Sequence, residues 1–141
     1  MDLHIDDFYT DSAKGLLTLY QAFPTKTTLY MDELIGYMAP DEFGLPSDRQ
    51  QRCLSSFIWL AEEGDLRYHS IIRFEALDQI MLCEKAFLRL GSAVTPLPKP
   101  LENAPPSVRR AQGSLANQLR EALHAQHSER VIELMQVFFQ R

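Results

Sequence analysis

The sequence predicts a mostly α fold with a small β-sheet (α+β), and three observations carry that expectation. Apolar residues recur at helical spacing in most of the long segments. Two short stretches, TKTTLYM (25–31) and LRYHSIIRF (66–74), have the β-branched and aromatic content of strands. Proline and glycine clusters, APDEFGLPS (39–47) and the stretch 91–106, interrupt the chain between such segments. At 141 residues the chain has room for one domain, or one small domain with an appendage.

Taken in order, Asp11 and Ser12 can cap a first helix carrying Leu16, Leu17, Tyr20 and Phe23, which Pro24 ends. A short strand at 25–31 follows, then a short helix over MDELIGYM (31–38) with Leu34, Ile35 and Met38 on one face. APDEFGLPS breaks the chain. Ser47 or Asp48 then caps a third helix that runs to about Glu63 and is stopped by Gly64.

Steps of 100° along this third helix put Gln50, Cys53, Leu54, Phe57, Leu60 and Ala61 on one side, with Ile58 at its margin. Asp48, Arg52, Ser55, Ser56, Trp59 and Glu63 fall on the other. A strand over 66–74 follows. The next stretch, 74–90, fits either one helix or a buried strand at QIMLC leading into a short helix around Lys85, Phe87 and Leu90. The one-helix alternative would make the domain an all-α bundle.

Residues 91–106 hold five of the eight prolines and read as an extended linker or strap. Beyond it, Ser107 or Ser114 can start a helix with Leu115, Leu119, Ala122 and Leu123 on one face. Val131, Ile132, Met135, Phe138 and Phe139 form a second apolar set. HAQHS shifts the stripe between them, with Ser128 as a cap. This divides the chain into a globular part (1–91), a Pro-rich linker (92–106) and a C-terminal helical extension (107–141).

The formal net charge of −5 is uneven: residues 1–95 carry −7 and residues 96–141 carry +2. An acidic body does not attract phosphates over its whole surface, so any nucleic-acid role needs a local basic patch. No apolar run approaches the roughly 20 residues that cross a bilayer, and MDLHIDDFYTD lacks the blocks of a signal peptide. A cytoplasmic protein without a membrane role is expected.

Catalytic and metal constellations are poorly represented. Cys53 and Cys83 form no C-x-x-C pair and read as free, buried thiols. His124 and His127 could share a helical face, but only Glu121 and Glu129 lie near enough to complete a ligand set, so solvated surface residues are expected. His4 and His69 stand alone. There is no G-x-S-x-G, no phosphate-cradling glycine loop, and each carboxylate pair is of adjacent residues that diverge by about 100° on a helix. The expectation is a non-enzymatic chain with no cofactor and no metal.

The order helix, short strand, helix, helix, strand and closing strand over residues 8–91 resembles a winged helix-turn-helix domain. LAEEGDLRY looks like the end of a third helix turning into the first wing strand. QIMLCEKAFLRLG is similar to that superfamily's closing segment, in which Leu is followed by Thr, an acid, Lys, Gly and an apolar residue. Cys83 stands where Thr is common and Ala86 where Gly is common.

The resemblance implies that the third helix takes the recognition position and that the loop at 69–75 is a wing. Arg49, Arg52, Ser55 and Ser56 would then face bases or phosphates of double-stranded DNA, with Arg67 and Arg73 on the backbone. The same region also holds Asp48, Glu62, Glu63 and Asp65, so a rival expectation is a winged helix that acts only through protein contacts, as a subunit or adaptor. A basic strip continuous from Arg49 and Arg52 to Arg67 and Arg73 would favour DNA. Burial or pairing of those arginines would favour protein.

Trp59 needs a cover: the Pro-rich strap or the C-terminal helix, a partner protein, or a stacked base. The apolar set Leu115, Leu119, Leu123, Val131, Ile132, Met135, Phe138 and Phe139 either folds back on its own domain or pairs with a second copy, and a homodimer is expected. Added terminal helices often dimerise in winged-helix proteins.

Overall fold

The first helix, α1, spans Leu3–Ala22 and starts well before the expected cap. Asp11 and Ser12 are therefore mid-helix and buried, not caps. The reason lies in the residues before them: Phe8 and Tyr9 both pack on Phe139 from the far end of the chain, which extends the helix backwards. In this computed structural model, which describes residues 2–94 and 104–141, the chain has seven helices and four strands among the described residues.

Strand β1 is Thr27–Tyr30, and α2, Met31–Ile35, follows it directly. Helix α2 is shorter than its pattern suggested because Gly36, at φ +84°, turns the chain away. An irregular loop leads to α3, Asp48–Glu62, where the Ser47 hydroxyl accepts the Gln50 N–H at 3.1 Å. Cys53, Leu54, Phe57 and Leu60 of α3 are buried as its periodicity requires.

The stretch 66–74 is not one strand. It divides into β2, Leu66–Arg67, and β3, Ser70–Ile72, and both pair antiparallel with β4, Ala76–Leu82. Both pairings keep one register, Arg67 opposite Met81 and Ser70 opposite Asp78, interrupted where Gln79 takes a positive φ. β1 pairs with the other edge of β4, setting Leu29 opposite Leu77. The segment 74–90 thus resolves into strand and helix, with α4 at Glu84–Gly91. The buried β4 residues Ala76, Leu77, Ile80 and Leu82 do not alternate strictly, so local period does not distinguish the two readings; pairing on both edges decides it.

Most of the Pro-rich linker, 95–103, lies outside the described residues. Its start is tied to the turn between the next two helices: Leu115 N–H donates to Ser92 O at 2.8 Å and Val94 N–H to Gly113 O at 3.0 Å. Then come α5, Pro106–Gln112, α6, Leu115–His124, and α7, Ser128–Gln140. Ser114 caps α6, as its sequence allowed. The cap of α7 is His127, not Ser128: its Nδ1 accepts the Arg130 N–H at 3.1 Å.

The C-terminal helices are part of the core. One buried cluster runs from Ala13 through Phe57 and Ile80 to Phe138. Leu115, Leu119, Val131, Met135 and Phe138 are buried in it, while Leu123, Ile132 and Phe139 are half-buried. The set expected to pair with a second copy is thus packed within one chain, because α6 and α7 pack on each other and on α1, and α6 also packs on α4. No described helix is long and apolar enough to cross a membrane.

Candidate functional site

The outward side of α3 and the β3–β4 turn bring together most of the residues that the sequence singled out. They do not form a continuous basic strip. Arg49 turns back onto α1, where its Nη1 and Nη2 donate to Asp11 at 2.5 and 2.7 Å and its Nε lies 3.5 Å from Asp7. The Asp11 hydrogen bond and charge raise the Arg49 pKa, against the opposing effect of burial. Ser56 is buried, with its hydroxyl donating to Arg52 O at 2.9 Å, so it is a helix-internal bond and not a reader.

Arg52 and Ser55 are exposed on α3 beside Asp48, Glu62 and Glu63, which are exposed as well. Arg67 and Arg73 are exposed on the hairpin. Arg67 reaches Met81 Sδ at 3.3 Å, and neither it nor Arg52 or Arg73 forms an ion pair among the described residues. His69 is exposed; its backbone N–H donates to Asp78 O.

Trp59 remains 43% exposed, and α7 supplies one of its covers. Phe139 meets its ring edge-on at 6.0 Å and Phe8 at 5.6 Å. These are favourable aromatic geometries. The C-terminal half of the outward α3 face is therefore shared with α1 and α7.

The residues that sequence reasoning passed over lie on the other flank. The loop between α2 and α3 and the β3–β4 turn enclose a groove of about 660 Å³, with Tyr30, Tyr37, Met38, Pro46, Phe74 and Glu75 among its walls. Tyr37 is 78% exposed and Phe74 49%, and Phe43 on the same loop is 78% exposed. Both walls are fixed. Gln50 Nε2 donates to Phe74 O at 2.7 Å, Met31 N–H to Glu75 O at 2.8 Å, and Asp41 Oδ1 accepts the N–H groups of Phe43 and Leu45 at 2.9 Å. The signal in the sequence was APDEFGLPS, which reads as a turn and hides that its aromatic neighbours have nothing to pack on.

Other chemistry-bearing groups are structural in their surroundings. Asp65, at the start of the hairpin, is buried, with Lys85 Nζ 3.6 Å and Arg89 Nη1 3.8 Å from an Oδ1 that accepts no hydrogen bond. Burial pushes its carboxyl above the ordinary value, against the pull of Lys85 and Arg89. Burial likewise pushes the Cys53 thiol up to about 12, which leaves it inert near neutral pH. Cys83 is half-buried and unbridged. Among the described residues no three His, Cys, Asp or Glu side chains gather as a metal site.

No family model, curated protein or solved structure matches the chain.

Proposed function

We propose that the chain is a winged-helix module that works through protein contacts, with the β3–β4 hairpin as its wing and the groove beside that wing as its contact surface. The order α1, β1, α2, α3 and a hairpin closed by β4 supports the winged-helix reading. The observation that carries the choice of partner is the wing itself. Ile71, Ile72 and Phe74 stand exposed between Ser70 and Glu75, a stretch whose charges are Arg73 and Glu75, while the other exposed hairpin cation, Arg67, lies on β2. A wing tip that grips phosphates needs several cations, and this one offers mainly bare apolar surface.

Covering three or four partly exposed apolar side chains contributes at most on the order of 6 kcal/mol, no more than the association cost of about 4–15 kcal/mol, so this surface works together with other contacts and not alone.

A second reading, binding to double-stranded DNA, keeps support from Arg52, Arg67 and Arg73, which are exposed and unpaired among the described residues. Three such cations must act beside Asp48, Glu62 and Glu63.

The test is site-specific photo-crosslinking in the native cell, with a photoreactive phenylalanine analogue at position 74 and, as control, at exposed position 129 on α7. Adducts from position 74 that resist nuclease and yield to protease support the protein-contact reading. Nuclease-sensitive adducts overturn it.

A further inference from the structure

We infer that the groove takes an extended, cationic segment of a partner protein, one that inserts large apolar side chains and sets Lys or Arg beside them. This rests on the protein-contact reading above and adds the chemistry of the partner.

The inference starts from what surrounds the apolar walls. Asp32 and Glu75 themselves line the groove, with Arg73 as the cation among the lining residues. From Tyr30 to Asp48 the chain carries five carboxylates and no Lys or Arg. Glu33, Glu42 and Asp48 are exposed around the same loop. An aromatic floor under a rim of carboxylates is complementary to a chain that alternates apolar and basic side chains.

The same rim argues against the other occupants. A second copy docking by a two-fold axis would bring this rim against itself, on a chain already at −5. Phosphates, whether of nucleic acid or of lipid headgroups, meet the same repulsion.

Size and rigidity argue for a segment rather than a folded face. About 660 Å³ is on the scale of small-ligand clefts. The bonds from Gln50 to the Phe74 carbonyl and from Met31 to the Glu75 carbonyl hold the hairpin wall to α3 and α2. A preformed cleft spares the receptor its ordering cost, so the segment alone becomes ordered on binding.

The experiment is selection of a random 12-residue peptide library on the intact chain, followed by anisotropy titration of the enriched peptides in labelled form. Enriched peptides should pair Lys or Arg with large apolar residues. Their Kd should rise at least about tenfold for Phe74→Ser, at a half-exposed ring, and for Tyr37→Ser, at a largely exposed one, in variants whose circular dichroism and Tm match the wild type. It should rise severalfold for Asp32→Asn with Glu75→Gln, and again on going from low to high salt.

No enrichment, an acidic or uncharged consensus, or affinities that ignore the two carboxylate substitutions would overturn the inference. Those results leave protein adducts at position 74 standing. Nuclease-sensitive adducts there would instead remove the protein-contact reading beneath it.

Discussion

Arg49 on α3 and Asp11 on α1 form a two-pronged ion pair, at 2.5 and 2.7 Å, in which the carboxylate is buried and the guanidinium is about a quarter exposed. One of the two α3 arginines expected to meet DNA is thereby committed to holding two helices together. Removing it should strand a buried charge. Arg49→Met is expected to cost about 2–3 kcal/mol, less than a fully buried pair because the guanidinium is partly solvated. Adding Asp11→Asn should recover part of that loss. Chemical denaturation of the two single variants and the double variant checks it; additive costs would mean that the pair is not coupled.

Gly15 allows α1 to lie directly on α3. A Cβ at that position would come within 2.2 Å of two ring carbons of Phe57, which is fully buried. Helix propensity alone would make Gly15→Ala stabilising by about 1 kcal/mol. Overpacking should win, with a net loss of about 1–2 kcal/mol. Gly15→Ala combined with Phe57→Leu should be less destabilised than the two changes summed. A rise in Tm for Gly15→Ala alone would contradict the close packing.

Asp65 gives a pH dependence whose sign follows from its burial. The folded chain holds the Asp65 proton to higher pH than the unfolded chain does, where the carboxyl titrates near about 3.9. Between those two values the folded state binds more protons, so this group's contribution to stability falls as pH rises through that window. The stability of the wild type minus that of Asp65→Asn should therefore decrease from about pH 3 towards neutral. An increase would mean that Lys85 and Arg89 outweigh desolvation.

How much of this was legible in the sequence differs by element. The bounds of α3 came within a residue, because Ser47 and Gly64 punctuate a clean apolar stripe. The start of α1 did not, since Phe8 and Tyr9 are helical on account of Phe139, some 130 residues away. β4 stayed ambiguous for a related reason: its neighbours are β1 on one edge and the hairpin strands on the other, and local period does not reveal pairing. The stripes of α6 and α7 were read correctly as apolar faces, but a stripe does not say whether its own chain or another covers it.

The candidate site was legible in part. Arg52, Ser55, Arg67 and Arg73 are exposed as expected, whereas Arg49 and Ser56 are occupied by contacts with Asp11 and with the Arg52 carbonyl. The groove escaped notice because Phe74 is about 40 residues from Tyr30 and Tyr37, and an aromatic residue in a loop gives no sign of its exposure until the fold is known.

A DNA titration with Trp59 of α3 as reporter tests most sharply whether the wing and the groove beside it meet protein and not phosphate. The chain would be titrated with mixed-sequence duplex DNA at low and physiological salt, following Trp59 emission and the anisotropy of labelled DNA. No salt-sensitive binding and an unmoved Trp59 spectrum are expected. Binding with a slope of log K against log salt near about −3, as three arginines on phosphates would produce, together with a shifted Trp59 emission, would contradict the protein-contact reading.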